Sequence, residues 1–245
     1  MSENTALEQA VRAALEVEAR VGLPSHPLEV KAEGRVVSLA GLVERIAAKR
    51  LAVSVAAGVP GVREVIDRVG VEPAEAMGKD EVLQHVRDAL LEEPTLVNHK
   101  LVTVNKKGET TVEHDPADAV GEIIVSVDEP GRRVSLDGRV NSLSHRRMAE
   151  LLSWWVAGCT DVANNLGVEP PEDDNDAEIL DSVELALEKD HAVDIADITL
   201  GCRDGVVTLS GGIPTGRQKF LAECDVWYIS GVKDVVNALV PVDPA

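Results

Sequence analysis

RVVSLAGLVERIAAKRLAVSVAAGVPGVREVIDRVGVEP, Arg35 to Pro73, decides the fold because the chain writes it three times. RRVSLDGRVNSLSHRRMAELLSWWVAGCTDVANNLGVEP, Arg132 to Pro170, aligns with it without a gap, and so does GVVTLSGGIPTGRQKFLAECDVWYISGVKDVVNALVPVD, Gly205 to Asp243. Six columns are identical: Val37/Val134/Val207, Leu39/Leu136/Leu209, Gly41/Gly138/Gly211, Ala52/Ala149/Ala222, Gly61/Gly158/Gly231 and Val65/Val162/Val235. The two glycine columns stand 20 residues apart in every copy, a register that chance does not keep three times.

Working outward, each copy is preceded by apolar residues at helical spacing: Leu7, Val11, Ala14 and Leu15; Val82, Val86, Ala89 and Leu90; Ile179, Val183, Ala186 and Leu187. Strand alternation follows, with Leu28, Val30 and Ala32 sharing a side in the first copy and Ile198, Leu200 and Cys202 in the third. Ile123-Ile124-Val125-Ser126-Val127-Asp128 fills that place in the second. Turns at Glu33-Gly34, Glu129-Pro130-Gly131 and Asp204-Gly205 lead into a second strand ending at the first glycine column. A second helix and a closing strand around Val69, Leu166 and Leu239 complete the unit. The pattern predicts an α+β protein of three tandem α-β-β-α-β modules. Each is a small three-stranded sheet with two helices packed on one face.

The expected modules are residues 1–73, 79–170 and 175–245, with short linkers between them. Repeat 2 is longer by 22 residues between its first helix and second strand (Val86 to Val134 against Val11 to Val37). The alternation of Leu101 to Val112 around Lys106-Lys107-Gly108 predicts an inserted β-hairpin near residues 98–121. So small a unit buries little surface, and the modules are expected to dock on one another.

Of the chain's 245 residues, 24 are Lys or Arg and 43 Asp or Glu, a formal charge of −19 that argues against nucleic acid and anionic lipid surfaces. No apolar run reaches the roughly 20 residues of a membrane span. The start, Met1 to Gln9, lacks a basic segment and an apolar core, so no export signal is expected. Three cysteines without a CxxC fit a reducing, cytoplasmic setting. Residues 1–73 carry a net −1, residues 74–170 a net −7 and residues 171–245 a net −11.

The motif V-x-L-x-G, a helix, then G-V-x-x-V-x-N-x-L resembles the BON domain, a small bacterial module. The third copy carries it most plainly, in Val207-Thr208-Leu209-Ser210-Gly211 and Gly231-Val232-Lys233-Asp234-Val235-Val236-Asn237-Ala238-Leu239. The second keeps Asn164 in the asparagine column and has Cys159 after the glycine; the first has Asp67. The resemblance implies a non-catalytic, stress-related binding or scaffold protein with no shared catalytic residue. Its members include periplasmic stress-induced proteins, phospholipid-binding envelope lipoproteins and a cytoplasmic potassium-binding protein. The alternatives it supplies are therefore a monovalent-cation (potassium) sensor and a phospholipid-binding protein.

Chemistry-bearing motifs are few, and neither an enzyme, a cofactor nor a metal site is expected. Gly211 to Arg217 lacks the spacing and lysine of a phosphate loop and reads as a strand-to-helix turn. Asp173 to Glu178 begins like a calcium loop but lacks its glycine and closing glutamate, and reads as an acidic linker leading into a helix. His26, His85, His99, His114, His145 and His191 show no metal-ligand spacing and are expected at the surface. Cys159 and Cys202 read as small hydrophobes, and Cys224 has no catalytic histidine. Both glycine columns read as structural: Gly41, Gly138 and Gly211 at the end of a strand, and Gly61, Gly158 and Gly231 at the C′ position of the second helix.

The aromatic residues are Trp154, Trp155, Phe220, Trp227 and Tyr228, all in the second helices of repeats 2 and 3. At 100° per residue Tyr228 shares a side with core positions, while Trp227 lies beside Phe220 on a flank. Trp154, Trp227 and Phe220 are therefore candidate interface residues. Ordinary packing under the linker or hairpin, a repeat–repeat or homo-oligomer contact, and an apolar ligand cleft are the readings.

Overall fold

The computed structural model describes residues 3–128 and 132–242, so the turn Glu129-Pro130-Gly131 and the end from Asp243 lie outside the described residues. The first module runs α1 (Glu3–Val17), β1 (Glu29–Glu33), β2 (Val36–Val43), α2 (Ile46–Gly58) and β3 (Glu64–Val71). The second runs α3 (Lys79–Glu92), β4 (His99–Val104), β5 (Thr110–His114), β6 (Gly121–Val127), β7 (Arg133–Val140), α4 (Leu143–Trp154), β8 (Asp161–Asn164) and β9 (Gly167–Val168). The third runs α5 (Asp176–Lys189), β10 (Ile198–Arg203), β11 (Val206–Ile213), α6 (Gly216–Tyr228) and β12 (Asp234–Pro241).

Each module joins an antiparallel hairpin to a parallel closing strand through a crossover helix. The sheet order is β1-β2-β3 in the first and β10-β11-β12 in the third. In the second the order is β5-β4-β6-β7-β8, with β9 also on β7, so this sheet carries six strands. The inserted hairpin β4–β5 extends the sheet by laying β4 parallel to β6, His99 opposite Gly121 and Thr103 opposite Val125. The cores are the alternating inward faces of these strands under the two helices: Val37, Leu39, Val134, Leu136, Val207 and Leu209 are all fully buried. Residues 1–72 form one compact unit, and residues 73–245, the second and third modules together, form another.

Local chemistry sets the helix starts. Ser142 Oγ accepts from the His145 amide at 3.1 Å and Thr215 Oγ1 from the Gln218 amide at 3.2 Å, while Arg45 in the same column makes no side-chain cap. The first glycine column lies inside β2, β7 and β11, two residues before their ends, not where the strand stops as the sequence suggests. Gly138 and Gly211 have φ of 111° and 113°, and a Cβ on either would overlap the Glu122 or Asp197 carbonyl oxygen of the adjacent hairpin arm. The close crossing of backbones excludes a side chain there. The second column also departs from expectation. The helices leave through Val59, Trp155 and Ile229 as C-caps, so Gly61, Gly158 and Gly231 stand beyond C′.

A polar clamp not singled out in the sequence ties the second helix to the closing strand of every module. Lys49, Arg146 and Lys219 occupy one column, and Asp67, Asn164 and Asn237 another. Lys49 Nζ donates to the Val69 carbonyl at 2.5 Å and to Asp67 Oδ2 at 2.6 Å. Lys219 Nζ donates to the Leu239 carbonyl at 2.7 Å, and Arg146 Nη2 to the Asn164 carbonyl at 3.4 Å. Asn237 Nδ2 bridges the Lys219 carbonyl and Glu223 Oε2 at 2.9 and 3.0 Å, and Asn164 does the same with Arg146 and Glu150 at 2.9 and 3.1 Å. Val53 fills the glutamate column in the first module, which is why a carboxylate fits at Asp67.

Asn237→Asp sets a carboxylate 3.0 Å from Glu223 and should destabilise the protein by about 2–4 kcal/mol. Adding Glu223→Val rebuilds the first module's clamp and should restore at least half of that. Urea unfolding of the single and double variants reads this directly, and equal midpoints would show that the column does not act as a clamp.

Candidate functional site

The contact between the second and third modules is the most elaborated polar and aromatic assembly in the unit of residues 73–245. It is built on α4, α5 and α6, which pack together. Trp154, the last residue of α4, is buried and meets the Tyr228 ring of α6 at 6.0 Å between centroids, tilted by 33°. Among the described residues its buried indole Nε1 has no hydrogen-bond partner. Trp227 is only 2% exposed, whereas Phe220 is 44% exposed. The three candidate interface residues therefore do not form one flank. Trp154 belongs to the contact between modules, Trp227 to buried packing and Phe220 to the surface. The cross-module ring partner is Tyr228, which helical periodicity assigned to its own core. Burial also removes Trp154 and Trp227 from any homo-oligomer surface.

Arg147 crosses the same contact. Its side chain is almost fully buried; Nε donates to the Ser230 carbonyl at 2.8 Å and Nη2 to Asp174 Oδ1 at 2.5 Å. One guanidinium thus ties the second module to the acidic linker and to the loop after α6. Lys189 at the end of α5 pairs with the buried Glu93 at 2.8 Å. Burial works to raise the Glu93 carboxyl, but hydrogen bonds from Lys189 and Thr95 outweigh it and hold the pKa below the usual range.

Asp225 of α6 behaves oppositely. It is buried near Asp190 of the third module and Trp155 of the second, and its pKa is pushed up to about 8. Burial is the main cause, followed by the charge of the neighbouring Asp190. At neutral pH the Asp225 carboxyl keeps its proton. Tyr228 beside it is raised to about 12, mainly by burial.

The expectation of surface histidines fails for His99 and His145. His99 is buried, lies 5.0 Å from the His145 ring, and its Nε2 meets Asn141 Oδ1 at 3.1 Å. Burial lowers the pKa of both, and the His99 neighbour lowers His145 further against the pull of Glu172 and Glu93. His114 lies across the hairpin with Nε2 2.8 Å from the Val97 carbonyl. The pairing of β4 with the sheet brings His99 over the start of α4, a tertiary effect without a spacing signal. Among the described residues no group of three or more His, Cys, Asp or Glu side chains could hold a metal ion.

The remaining motifs are engaged structurally. Asn175 caps α5, Asp174 pairs with Arg147, and Asp176 accepts from the Asp204 and Gly205 amides at 2.7 and 2.8 Å. Gly211 to Ile213 finishes β11 and Thr215 caps α6. Cys159 is buried and pushed up to about 12 by that burial; Cys202 is half-buried, its thiol also raised mainly by burial. Among the described residues no helix is long and apolar enough to cross a membrane.

The family model described as BON domain matches residues 3–73, 103–170 and 175–241. Among curated proteins none matches. Solved structures similar to this chain include the C-terminal domain of CdsD, the structural protein of the type III secretion system of Chlamydia trachomatis. That similarity has 14% identity and a TM-score of 0.25, over 94% of this chain and 96% of that one. A second CdsD structure from the same organism has 14% identity and a TM-score of 0.23, over 96% of this chain and 92% of that one.

The Asp225 pKa of about 8 stands above its ordinary 3.8, so between those values the folded state holds a proton that the unfolded chain releases. Stability is lost as pH rises through this window and is level above it. Asp225→Asn should therefore stabilise the protein by about 1–3 kcal/mol more at pH 8.5 than at pH 4.5 in chemical denaturation. A pH-independent difference would place the charge elsewhere. Trp154→Phe, which keeps a ring on Tyr228 and removes the unpaired donor, should change stability by less than about 1 kcal/mol, against a loss of about 3–5 kcal/mol for Trp154→Ala.

Proposed function

The chain belongs to the BON-domain family, and from that premise we propose that it is a non-catalytic binding and scaffold protein. The observation that carries this reading is a division of labour inside the repeats. The shared columns, the glycines and the cation–asparagine clamp, touch backbone and maintain shape. What varies between modules is surface charge, a net −1 over residues 1–73 against −18 over residues 74–245. A constant frame carrying different surfaces suits recognition of different partners. The acidic unit favours basic ones, and the near-neutral unit accepts others. A stress-related, cytoplasmic setting is the context we propose by family analogy.

Proximity labelling with the full chain in its source organism tests the reading. Neutralising Asp181→Asn, Glu184→Gln and Glu188→Gln together on α5 should remove a defined subset of labelled partners and leave the rest. An unchanged set would count against charge-based recognition by the third module.

The second reading is a monovalent-cation sensor, favoured by the formal charge of −19. Melting in potassium chloride against sodium chloride at equal ionic strength should then show a potassium-selective rise in Tm. Saturation at 100-fold over Kd adds about 2.7 kcal/mol of stability, a shift of a few degrees. Coincident curves would eliminate it.

A further inference from the structure

The three modules treat the same sheet edge differently, and two of them cover it. In the first, Glu8 of α1 reaches over the edge of β1 and its Oε1 accepts from the Ala32 amide at 2.9 Å. In the second, β4 pairs with the edge of β6 as a parallel strand. In the third, β10 is the end strand of its sheet. The column that holds Glu8 in the first module holds Leu83 in the second and Leu180 in the third, so the third has no carboxylate in that column to accept from the β10 amides.

Burial records the consequence. Leu28 just before β1 and Val30 and Ala32 on it are buried, as are Ile123, Val125 and Val127 on β6. Their counterparts Ile198, Leu200 and Cys202 on β10 are only half-buried. A groove of about 340 Å³ runs beside them, lined by Leu180, Glu184 and Leu187 of α5 and by Ile195, Ile198 and Leu200. The equivalent space in the second module lies beside Leu83 and Leu90 of α3 and is filled by β4, whose Leu101 and Thr103 are buried there.

We propose that the edge of β10 and the groove beside α5 form a docking site for an extended, basic–apolar segment of another protein, which joins the third sheet as a strand parallel to β10. The second module supplies the template. β4 is six residues long, buries Leu101, Val102 and Thr103 in succession as well as His99, and sets Lys100 against Glu122 of the neighbouring strand at 2.9 Å. The charge of the occupant follows from an inversion in one column. Arg87 of α3 lies 4.0 Å from Glu113 of the hairpin, whereas the matching position on α5 is Glu184, exposed on the groove wall. A segment seated there presents Lys or Arg where the hairpin presents Glu113. Main-chain hydrogen bonds to the edge give affinity, and the alternate side chains in the groove give specificity. The register on β11 turns the Leu200 and Cys202 amides outward, as the Ala32–Glu8 bond shows for the same position in the first module.

The inference rests on the binding reading above and names the partner chemistry for one surface. The probe is a blocked peptide with the β4 sequence His-Lys-Leu-Val-Lys-Val, lysine replacing the residue equivalent to Thr103. Its controls are a scrambled peptide and one with glutamate at that place. Amide exchange of the full chain followed by NMR should show Leu200 and Cys202 protected at least tenfold by the lysine peptide and unaffected by the controls. Leu180→Glu, which installs the first module's own cover, should abolish that protection. Glu184→Arg should transfer it to the glutamate peptide, which keeps the test decisive if Leu180→Glu unfolds. Equal protection by all three peptides, none by any, or concentration-dependent dimerisation through β10 in place of peptide binding would each overturn the proposal. A labelled partner set left intact by Leu180→Glu would remove this groove while leaving the binding reading in place.

Discussion

In every module a cation on the second helix is held against a backbone carbonyl of the closing strand, and that contact fixes how the rest of the unit is assembled. The closing strand is parallel to its neighbour, so it is reached only through a crossover helix, and its register is set by how that helix lies on the sheet. Lys49, Arg146 and Lys219 provide a common anchor, with Asp67, Asn164 and Asn237 completing it from the strand side. The anchor is most fully matched in the first module. Lys49, only 6% exposed, has both a carboxylate and a carbonyl, and an unpaired ammonium at that depth would be strongly unfavourable. Gly138 and Gly211 serve the other half of the assembly, letting the hairpin partner cross without a side chain between backbones.

The architecture was legible because its signals are local and repeated three times. Apolar spacing, turn residues and glycine columns are each weak in one copy, but a gapless register in three makes them decisive. Two features of detail escaped for physical reasons. The second glycine column suggests a left-handed helix terminus. Yet Gly61 and Gly231, with φ of 103° and 100°, come after C-caps in extended conformation, and Gly158 is held by the close approach of Met77 and Val82 instead. The clamp column was visible as Lys, Arg, Lys, but charged residues on a helix ordinarily face water, and nothing local announces that a helix will turn them inward.

The contact between the second and third modules was less legible, because its parts come from elements far apart in sequence. Periodicity placed Trp154, Trp227 and Phe220 on a flank by angle alone. The structure separates them because the packing of α4 against α6 selects Trp154 with Tyr228. His99 and His145 meet only because the inserted hairpin adds β4 to the sheet. The groups that specify this contact, Arg147 and Asp225, are polar ones a sequence reader assigns to the surface. Buried and partly matched, they add little net stability compared with apolar packing. What Arg147 contributes is restriction: it needs the Ser230 carbonyl and Asp174 in place, so other packings of these helices leave its buried charge unpaired.

The same logic explains how one fold acquires different surfaces without losing its frame. An edge strand exposes backbone donors and acceptors, and something must answer them. The first module answers with one carboxylate from its own helix and the second with 22 extra residues that build a strand. Both solutions leave the hairpin, the crossover helix and the clamp untouched, because the edge lies on the far side of the hairpin from the closing strand. Variation at Glu8, Leu83 and Leu180 therefore changes what the edge presents while the shared columns keep the sheet itself in register.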